Sequence, residues 1–397
     1  MKTDNLAALR AGRNWFGAGS CSLEELQQHL DRRLSTEDVP LAATIEQNVP
    51  IYDCAALRRI AADPSGRREI MAEWVANLRD GSGIVVLAGA FADPAPVDTA
   101  TAAFERIIAA QRAAGTQSGD HFAKPGANDR IWNALEKLCL EDPETFARYY
   151  GNDMIALVSE AWLGPCYQMT SQLNVVNPGG AAQTAHRDYH LGFQSAAVVE
   201  RYPAHVHLFS PMLTLQGAVA HCDMPVESGP TCYLPFSQSY APGYLAAQDP
   251  AIRDWFAGNH VQLPLRKGDA AFFNPALLHA AGHNRSSDIR RMANLLQVSS
   301  AYGRAMESID RQRMSAALFP VLGRLGAEGT LDAAAIDNVV AASAEGYSFP
   351  TNLDSDPPVG GLAPESQQEL MRRALAEGWA ADRFVDALAA QASRRLP

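Results

Sequence analysis

The sequence predicts an α+β fold in which a β core of the sandwich or barrel type lies between helical flanks, and three textures along the 397 residues carry that reading. From Cys166 to Ser300 the chain runs in short apolar or alternating stretches broken by Gly, Pro, Asn and Asp, the pattern of strands joined by tight turns. Up to about Asp80 the apolar spacing is helical and loosely amphipathic, and beyond Tyr302 helical texture returns. The expected organisation is a helical extension over 1–80, a core with its own helices over 81–300 and a helical extension over 301–397. No linker-like stretch separates them, so they are expected to pack as one structural unit.

Taken in order, Ser22 followed three residues later by Glu25 has the form of a capping box and opens a helix to Leu30. A second helix is expected from Arg67 to Leu78. The run Gly83-Ile84-Val85-Val86-Leu87-Ala88-Gly89, apolar between glycines, reads as a buried strand. Val97 to Ala114 is helical by its alanine content, Asp120 to Asp129 is a polar loop, and helices follow over Arg130–Leu140 and Pro143–Leu163. Strands are expected over Gln168–Asn177, His207–His221, Pro230–Pro235, His260–Leu265, Ala270–Asn274 and Arg291–Ser299. Helices over Ala317–Leu325, Ala333–Ala344 and Pro364–Ala392 close the chain, interrupted by an extended segment from Gly346 to Asp354 rich in loop formers.

Composition excludes several classes of function. Hydrophobic residues are 47% and charged residues 19%, which is globular rather than disordered. A net charge of −11 does not suit nucleic acid or an anionic membrane surface. Met1–Leu6 lacks an apolar leader and no apolar run reaches about 18 residues, so a cytoplasmic location is expected. Cys21, Cys54, Cys139, Cys166, Cys222 and Cys232 have no C-x-x-C spacing and read as free thiols.

The chemistry concentrates in Thr184-Ala185-His186-Arg187-Asp188-Tyr189-His190. Residues two apart on a strand point the same way, so the His186 imidazole and the Asp188 carboxylate can reach one cation. His279 lies 93 residues further on, after a Gly268-Asp269 turn and an apolar strand, a separation that suits ligands on different strands of one barrel. Two histidines and a carboxylate form a facial triad, which leaves open positions on a non-haem Fe(II). By itself H-x-D is common, and a surface His beside a turn Asp also matches it. The downstream pattern adds the weight: Arg290 follows His279 by eleven residues, whereas none of the rival ligands His205, His207, His221 and His283 combines a carboxylate so placed with that downstream pattern.

These residues resemble the phytanoyl-CoA dioxygenase family, a branch of the Fe(II)- and 2-oxoglutarate-dependent oxygenases. Four pieces match in order over about Leu78 to Ser299: the strand Gly83–Leu87, His186-Arg187-Asp188, the turn and strand Asp223–Gln238 containing Glu227-Ser228-Gly229-Pro230, and Gly268-Asp269 through His279 to Asn284, Ser286 and Arg290. Phe236 and Gln238 replace a Gly and a His found in many relatives. Ala281 replaces a Ser that often binds the cosubstrate's far carboxylate, which leaves Arg290 alone or with a hydroxyl such as that of Thr214.

The resemblance implies a double-stranded β-helix, or jelly roll, with iron at one mouth. His186, Asp188 and His279 would be the metal ligands and the catalytic centre, with 2-oxoglutarate and O2 as cosubstrates. Arg290 would clamp the distal carboxylate of 2-oxoglutarate through its planar guanidinium, while Arg291, on the opposite face, reads as a surface residue. Gln172 and Asn174 share a strand face and could hydrogen-bond the cosubstrate or order water, and Tyr189, His190 and Arg201 could line the substrate pocket. The reaction implied converts 2-oxoglutarate to succinate and carbon dioxide while oxidising an unactivated C–H bond. Halogenating relatives lack the carboxylate that Asp188 supplies, so hydroxylation, or else desaturation or ring closure, is expected. The expected partner is a small-molecule substrate, with no nucleic acid and no membrane, and the C-terminal helices offer a surface for a homodimer. Two other readings stay open: a cupin-like metalloenzyme with the same triad and no use for 2-oxoglutarate, and a non-catalytic jelly-roll binding module.

Overall fold

A computed structural model describes residues 14–115 and 128–397. The opening Met1–Leu6 and nearly all of the polar loop expected at 120–129 lie outside the described residues. Among those described, ten strands form two sheets: β1 (Thr44–Glu46), β2 (Val49–Asp53), β3 (Ile84–Ala88), β4 (Asn128–Ile131), β5 (Gln168–Val176), β6 (Thr214–Ala220), β7 (Cys232–Tyr233), β8 (Ala270–Phe273), β9 (His279–Ala280) and β10 (Arg291–Ser299). The larger sheet has the order β1-β2-β3-β8-β6-β10-β5-β4, with β2 and β3 parallel and the pairs β1–β2, β3–β8 and β6–β8 antiparallel. The smaller sheet pairs β7 with β9, and single bridges Tyr233–Val261 and His186–His279 widen it on both sides. Four chain segments therefore lie abreast at Val261, Tyr233, His279 and His186. This is the α+β double-stranded β-helix that the sequence predicts.

Chain contacts define two compact units. The first takes the described residues of Met1–Ala92, Gly119–Asp129 and Asn174–Leu295, and the second those of Asp93–Ser118, Arg130–Leu173 and Leu296–Pro397. In the first unit, Val49, Ile84, Val86, Tyr233, Leu263, Ala271, Phe273 and Leu277 form one buried apolar group between the two sheets. Phe273 of β8 reaches across to Tyr233 of β7, with ring centroids 5.2 Å apart. A second group, including Leu26, Leu234, Ile252, Phe256 and Ala280, seats the helices Leu23–Leu30 and Pro250–Asn259 against the smaller sheet. In the second unit, Phe319 and Phe384 stack at 4.1 Å between the helices Arg311–Ala327 and Ala381–Arg394. No helix among the described residues is long and apolar enough to cross a membrane, and all six cysteines are free.

Several elements differ from expectation, each for a local reason. Residues 44–53 form a hairpin rather than helix, because Gln47 and Asn48 take φ of 50° and 67° and make a two-residue turn without glycine. The strand expected from His207 begins only at Thr214; Ala204–Phe209 and Ser210–Leu213 are helical turns, the latter with Pro211 in its first turn. The segment 143–163 is two helices, because Asn152 accepts from the Met154 and Ile155 amides and starts a new one after Gly151. Arg130 and Ile131 belong to β4, and the helix follows at Ala134–Glu141. Gly378, at φ 63°, divides the C-terminal helix into Gln367–Ala376 and Ala381–Arg394. His260–Leu265 makes single bridges at Val261 and Leu265 rather than a strand.

Gly217 on β6 faces Phe272 of β8, and a Cβ there would collide with the Phe272 ring. Gly217→Ala is expected to destabilise the protein by about 1–3 kcal/mol, the usual cost of overpacking a core. Denaturant unfolding would measure this, and an unchanged midpoint would contradict the assigned packing.

Candidate metal centre

His186 and His279 stand opposite each other on neighbouring antiparallel segments. The His186 amide donates to the His279 carbonyl at 3.0 Å, and the His279 amide returns a bond of 3.1 Å. Gln183 N–H to Ala281 O at 2.9 Å and Asp188 N–H to Pro275 O at 3.0 Å continue the pairing on either side. Directly opposed ladder residues project to one face of a sheet. The two imidazole centroids are accordingly 4.5 Å apart.

Each ring is held in one tautomer. His186 Nδ1 lies 2.8 Å from the Thr184 carbonyl and His279 Nδ1 lies 2.8 Å from the Leu277 carbonyl. A carbonyl only accepts, so Nδ1 carries the proton and Nε2 keeps its lone pair. Both Nε2 atoms face Asp188, at 3.6 Å from Oδ1 for His186 and 3.4 Å from Oδ2 for His279. The three ligand atoms lie within 4.8 Å of one another, a grouping able to hold one metal ion. Two neutral imidazoles and one carboxylate suit non-haem Fe(II), and the residues present fit that ion.

The electrostatics agree with that use. Burial would raise the Asp188 carboxyl, but the neighbouring His186 and His279 and the donation from the Gln216 amide outweigh it and hold the carboxyl well below the usual carboxylate range. Desolvation, followed by the neighbouring His279, lowers the His186 pKa and favours the neutral imidazole that a metal requires.

The ligand-bearing segment is braced by Arg187, a buried residue between two ligands. Its Nη2 donates to the Ser237 carbonyl and, at 3.1 Å, to the Tyr240 carbonyl, and its guanidinium lies 5.2 Å from the Tyr244 ring centre. Tyr244 in turn donates to the Asp188 carbonyl at 3.5 Å. Burial brings Arg187 down to about 10, so it stays charged at neutral pH. After Asp188 the chain reverses through two residues of positive φ, Tyr189 at 63° and His190 at 43°. Left-handed backbone at two successive bulky residues is strained, and such strain persists only where surrounding contacts enforce it.

The other residues singled out from the sequence are placed as follows. Tyr189 is buried, its ring 6.1 Å from that of Phe193, and His190 Nδ1 meets Ser210 Oγ at 2.9 Å. Arg201 is exposed, and its carbonyl receives the Trp15 indole N–H at 3.5 Å. Arg290 is partly exposed, with Nη2 3.4 Å from the buried Asp129 carboxylate. Asn174 belongs to the first unit, and its buried Oδ1 has no hydrogen-bond partner among the described residues. Gln172 belongs to the second unit, where Arg130 donates to its Oε1 and its Nε2 lies 3.6 Å from the Met306 sulfur. Arg291 is a correction: instead of facing solvent it is buried, donating to the Ser228 and Gly282 carbonyls at 3.4 and 3.5 Å.

Sequence reasoning missed three residues that touch the ligands. In the sequence Arg187 is only the middle of H-x-D, Phe273 an apolar strand residue and Gln216 part of a long strand. Phe273 packs edge-on against His279 at 4.8 Å, and Gln216 Nε2 donates to Asp188 Oδ2. The available signal was a single amide in the otherwise apolar run Leu215-Gln216-Gly217-Ala218-Val219.

Comparison with known proteins identifies one family: the model of phytanoyl-CoA dioxygenase (PhyH) matches residues 80–292. Similar solved structures include the non-haem α-ketoglutarate-dependent epimerase SnoN of nogalamycin biosynthesis, at 21% identity over 60% of this chain and 82% of that one, with a TM-score of 0.40. The non-haem α-ketoglutarate-dependent carbocyclase SnoK of the same biosynthesis is 21% identical over 58% and 83%, with a TM-score of 0.43. AviO1 from Streptomyces viridochromogenes Tue57 is 19% identical over 59% and 97%, with a TM-score of 0.45. No curated protein matches the sequence.

Titration with Co(II), followed by its visible spectrum, checks the centre. His279→Ala is expected to abolish specific binding. Arg187→Met keeps the apolar stem and loses the donations, and should weaken binding about 10–100-fold, as the loss of a ligand-supporting contact does. Unchanged affinity in His279→Ala would exclude this site.

Proposed function

The chain belongs to the phytanoyl-CoA dioxygenase family of iron- and 2-oxoglutarate-dependent oxygenases, and on that premise we propose that it hydroxylates an unactivated C–H bond of a small molecule. The observation that carries the choice of reaction is Asp188, a carboxylate kept as third donor beside two imidazoles whose Nε2 lone pairs face it. Bound there, Fe(II) with 2-oxoglutarate and O2 supplies the oxidising power, and 2-oxoglutarate leaves as succinate and carbon dioxide.

The chain's own part is to bind, orient and enclose. His186, Asp188 and His279 would occupy one face of the metal and leave the rest to cosubstrates. Arg290 would pair with the far carboxylate of 2-oxoglutarate, and Asp129, 3.4 Å from its guanidinium, would hold it in position. With Ala281 lacking a hydroxyl, that carboxylate would rest mainly on the arginine. Asn174, whose buried Oδ1 has no partner among the described residues, would accept from an ordered water or from the substrate. Tyr189 and His190, in the strained turn directly after Asp188, would form the pocket wall nearest the metal, with Arg201 further out on the same insertion.

The test is succinate formation from 2-oxoglutarate with Fe(II) and O2 across a pool of candidate metabolites, in wild type, His186→Ala and Arg290→Ala. Succinate that depends on His186 and is stimulated by one metabolite, with a hydroxylated product, is the expected result. Absence of succinate despite tight Fe(II) binding would sink the proposal. The adjacent arginines should separate by their effect on the cosubstrate: Arg290→Ala raises KM for 2-oxoglutarate at least about tenfold, consistent with a lost charge-assisted bond. Arg291→Ala lowers Tm, because it removes a buried group and strands two carbonyls.

A further inference from the structure

Gln216 is a buried amide in a strand otherwise made of Thr, Gly and apolar residues, every one of them buried. Desolvating an amide in such surroundings is unfavourable unless its polar atoms are used. One is: Nε2 donates to Asp188 Oδ2. The other, Oε1, has no hydrogen-bond partner among the described residues. The orientation is dictated, because an ionised carboxylate can only accept and must be met by the NH2 end.

Gln216 of β6 is also the ladder partner of Phe273 of β8. Phe273 presents its ring to His279 at 4.8 Å between centroids and 60° between planes. A single cross-strand pair on the larger sheet thus touches two of the three ligands, which both come from segments of the smaller sheet. Asp188 is a short side chain whose carboxylate can rotate, and a carboxylate can hold a cation through one oxygen or two. The amide bond to Oδ2 removes that freedom.

Resting on the reading of the triad as a metal centre, we propose that the Gln216–Phe273 pair positions its ligands, Gln216 fixing the Asp188 carboxylate so that it offers the metal one oxygen and leaves room for a chelating 2-oxo acid. Gln216 is a positioning residue, acting through Asp188. Phe273 does the same for the His279 ring, whose other constraint is the bond from Nδ1 to the Leu277 carbonyl.

Three variants test this: Gln216→Met, similar in length but without a donor; Gln216→Asn, which keeps an amide one methylene too short to reach; and Phe273→Leu. Co(II) alone probes the metal site, and anaerobic Fe(II) with 2-oxoglutarate probes chelation through its visible charge-transfer band. Both Gln216 variants should weaken Co(II) binding about 10–100-fold and 2-oxoglutarate binding about tenfold, while the metal-free protein keeps its Tm. Phe273→Leu should weaken Co(II) binding as well. Wild-type Co(II) and 2-oxoglutarate affinities in Gln216→Met and Gln216→Asn would overturn the proposal, as would a fall in Tm with unchanged affinities, which marks a purely structural amide. If Gln216→Met does not fold, Gln216→Asn carries the comparison. A wild type that binds Co(II) but gives no band with 2-oxoglutarate would refute the oxygenase reading, and the Co(II) affinities would still decide the role of Gln216.

Discussion

The reciprocal backbone bonds between His186 and His279 are the constraint on which the centre depends. Residues 93 positions apart become direct neighbours because one segment of the smaller sheet lies against another, and the ladder sets both side chains on the same face. Asp188 then follows by strand alternation, two residues beyond His186. A slip of one residue in that register would turn one imidazole away from the other, since side chains alternate along a strand. The pairing from Gln183 to Asp188 is therefore as much part of the site as the ligands.

Around this pairing the protein solves a second problem, which is to keep a carboxylate charged beside two imidazoles in a largely buried place. The carbonyls of Thr184 and Leu277 accept hydrogen bonds from Nδ1–H of His186 and His279, which leaves both Nε2 atoms facing Asp188. The Asp188 carboxylate accepts from the Gln216 amide and lies beside the two rings, with no fixed cation paired to it among the described residues. Arg187 carries the nearest buried positive charge on the same segment, but it is turned to the Ser237 and Tyr240 carbonyls. Its task is to hold the segment in place, and the Gln216 amide is left to restrain the carboxylate.

Much of this was legible in the chain. The strands at 84–88, 168–176, 270–273 and 291–299 appear as apolar or alternating runs bounded by turn residues, and the structure places them within a residue or two. The H-x-D, the distal histidine and the following arginine were visible as a pattern. Less visible were features whose cause is non-local. The hairpin at 44–53 carries no glycine in its turn, so Asn48 did the work without the usual sign. Arg291 read as a surface residue because alternation alone does not say what lies opposite; in the fold, the carbonyls of Ser228 and Gly282 cover it. Gln216 lies 28 residues from Asp188 and meets it only across the sheets.

The sequence by itself determined the donor types and their local spacing: an imidazole and a carboxylate two residues apart, a second imidazole after an apolar strand, and a basic residue beyond. These follow from the period of a strand and from side-chain chemistry, both properties of neighbours along the chain. Tertiary structure alone decided which amide restrains Asp188 and which of two adjacent arginines is buried. Those depend on contacts between segments distant in sequence, where one residue of register or one facing carbonyl changes the outcome.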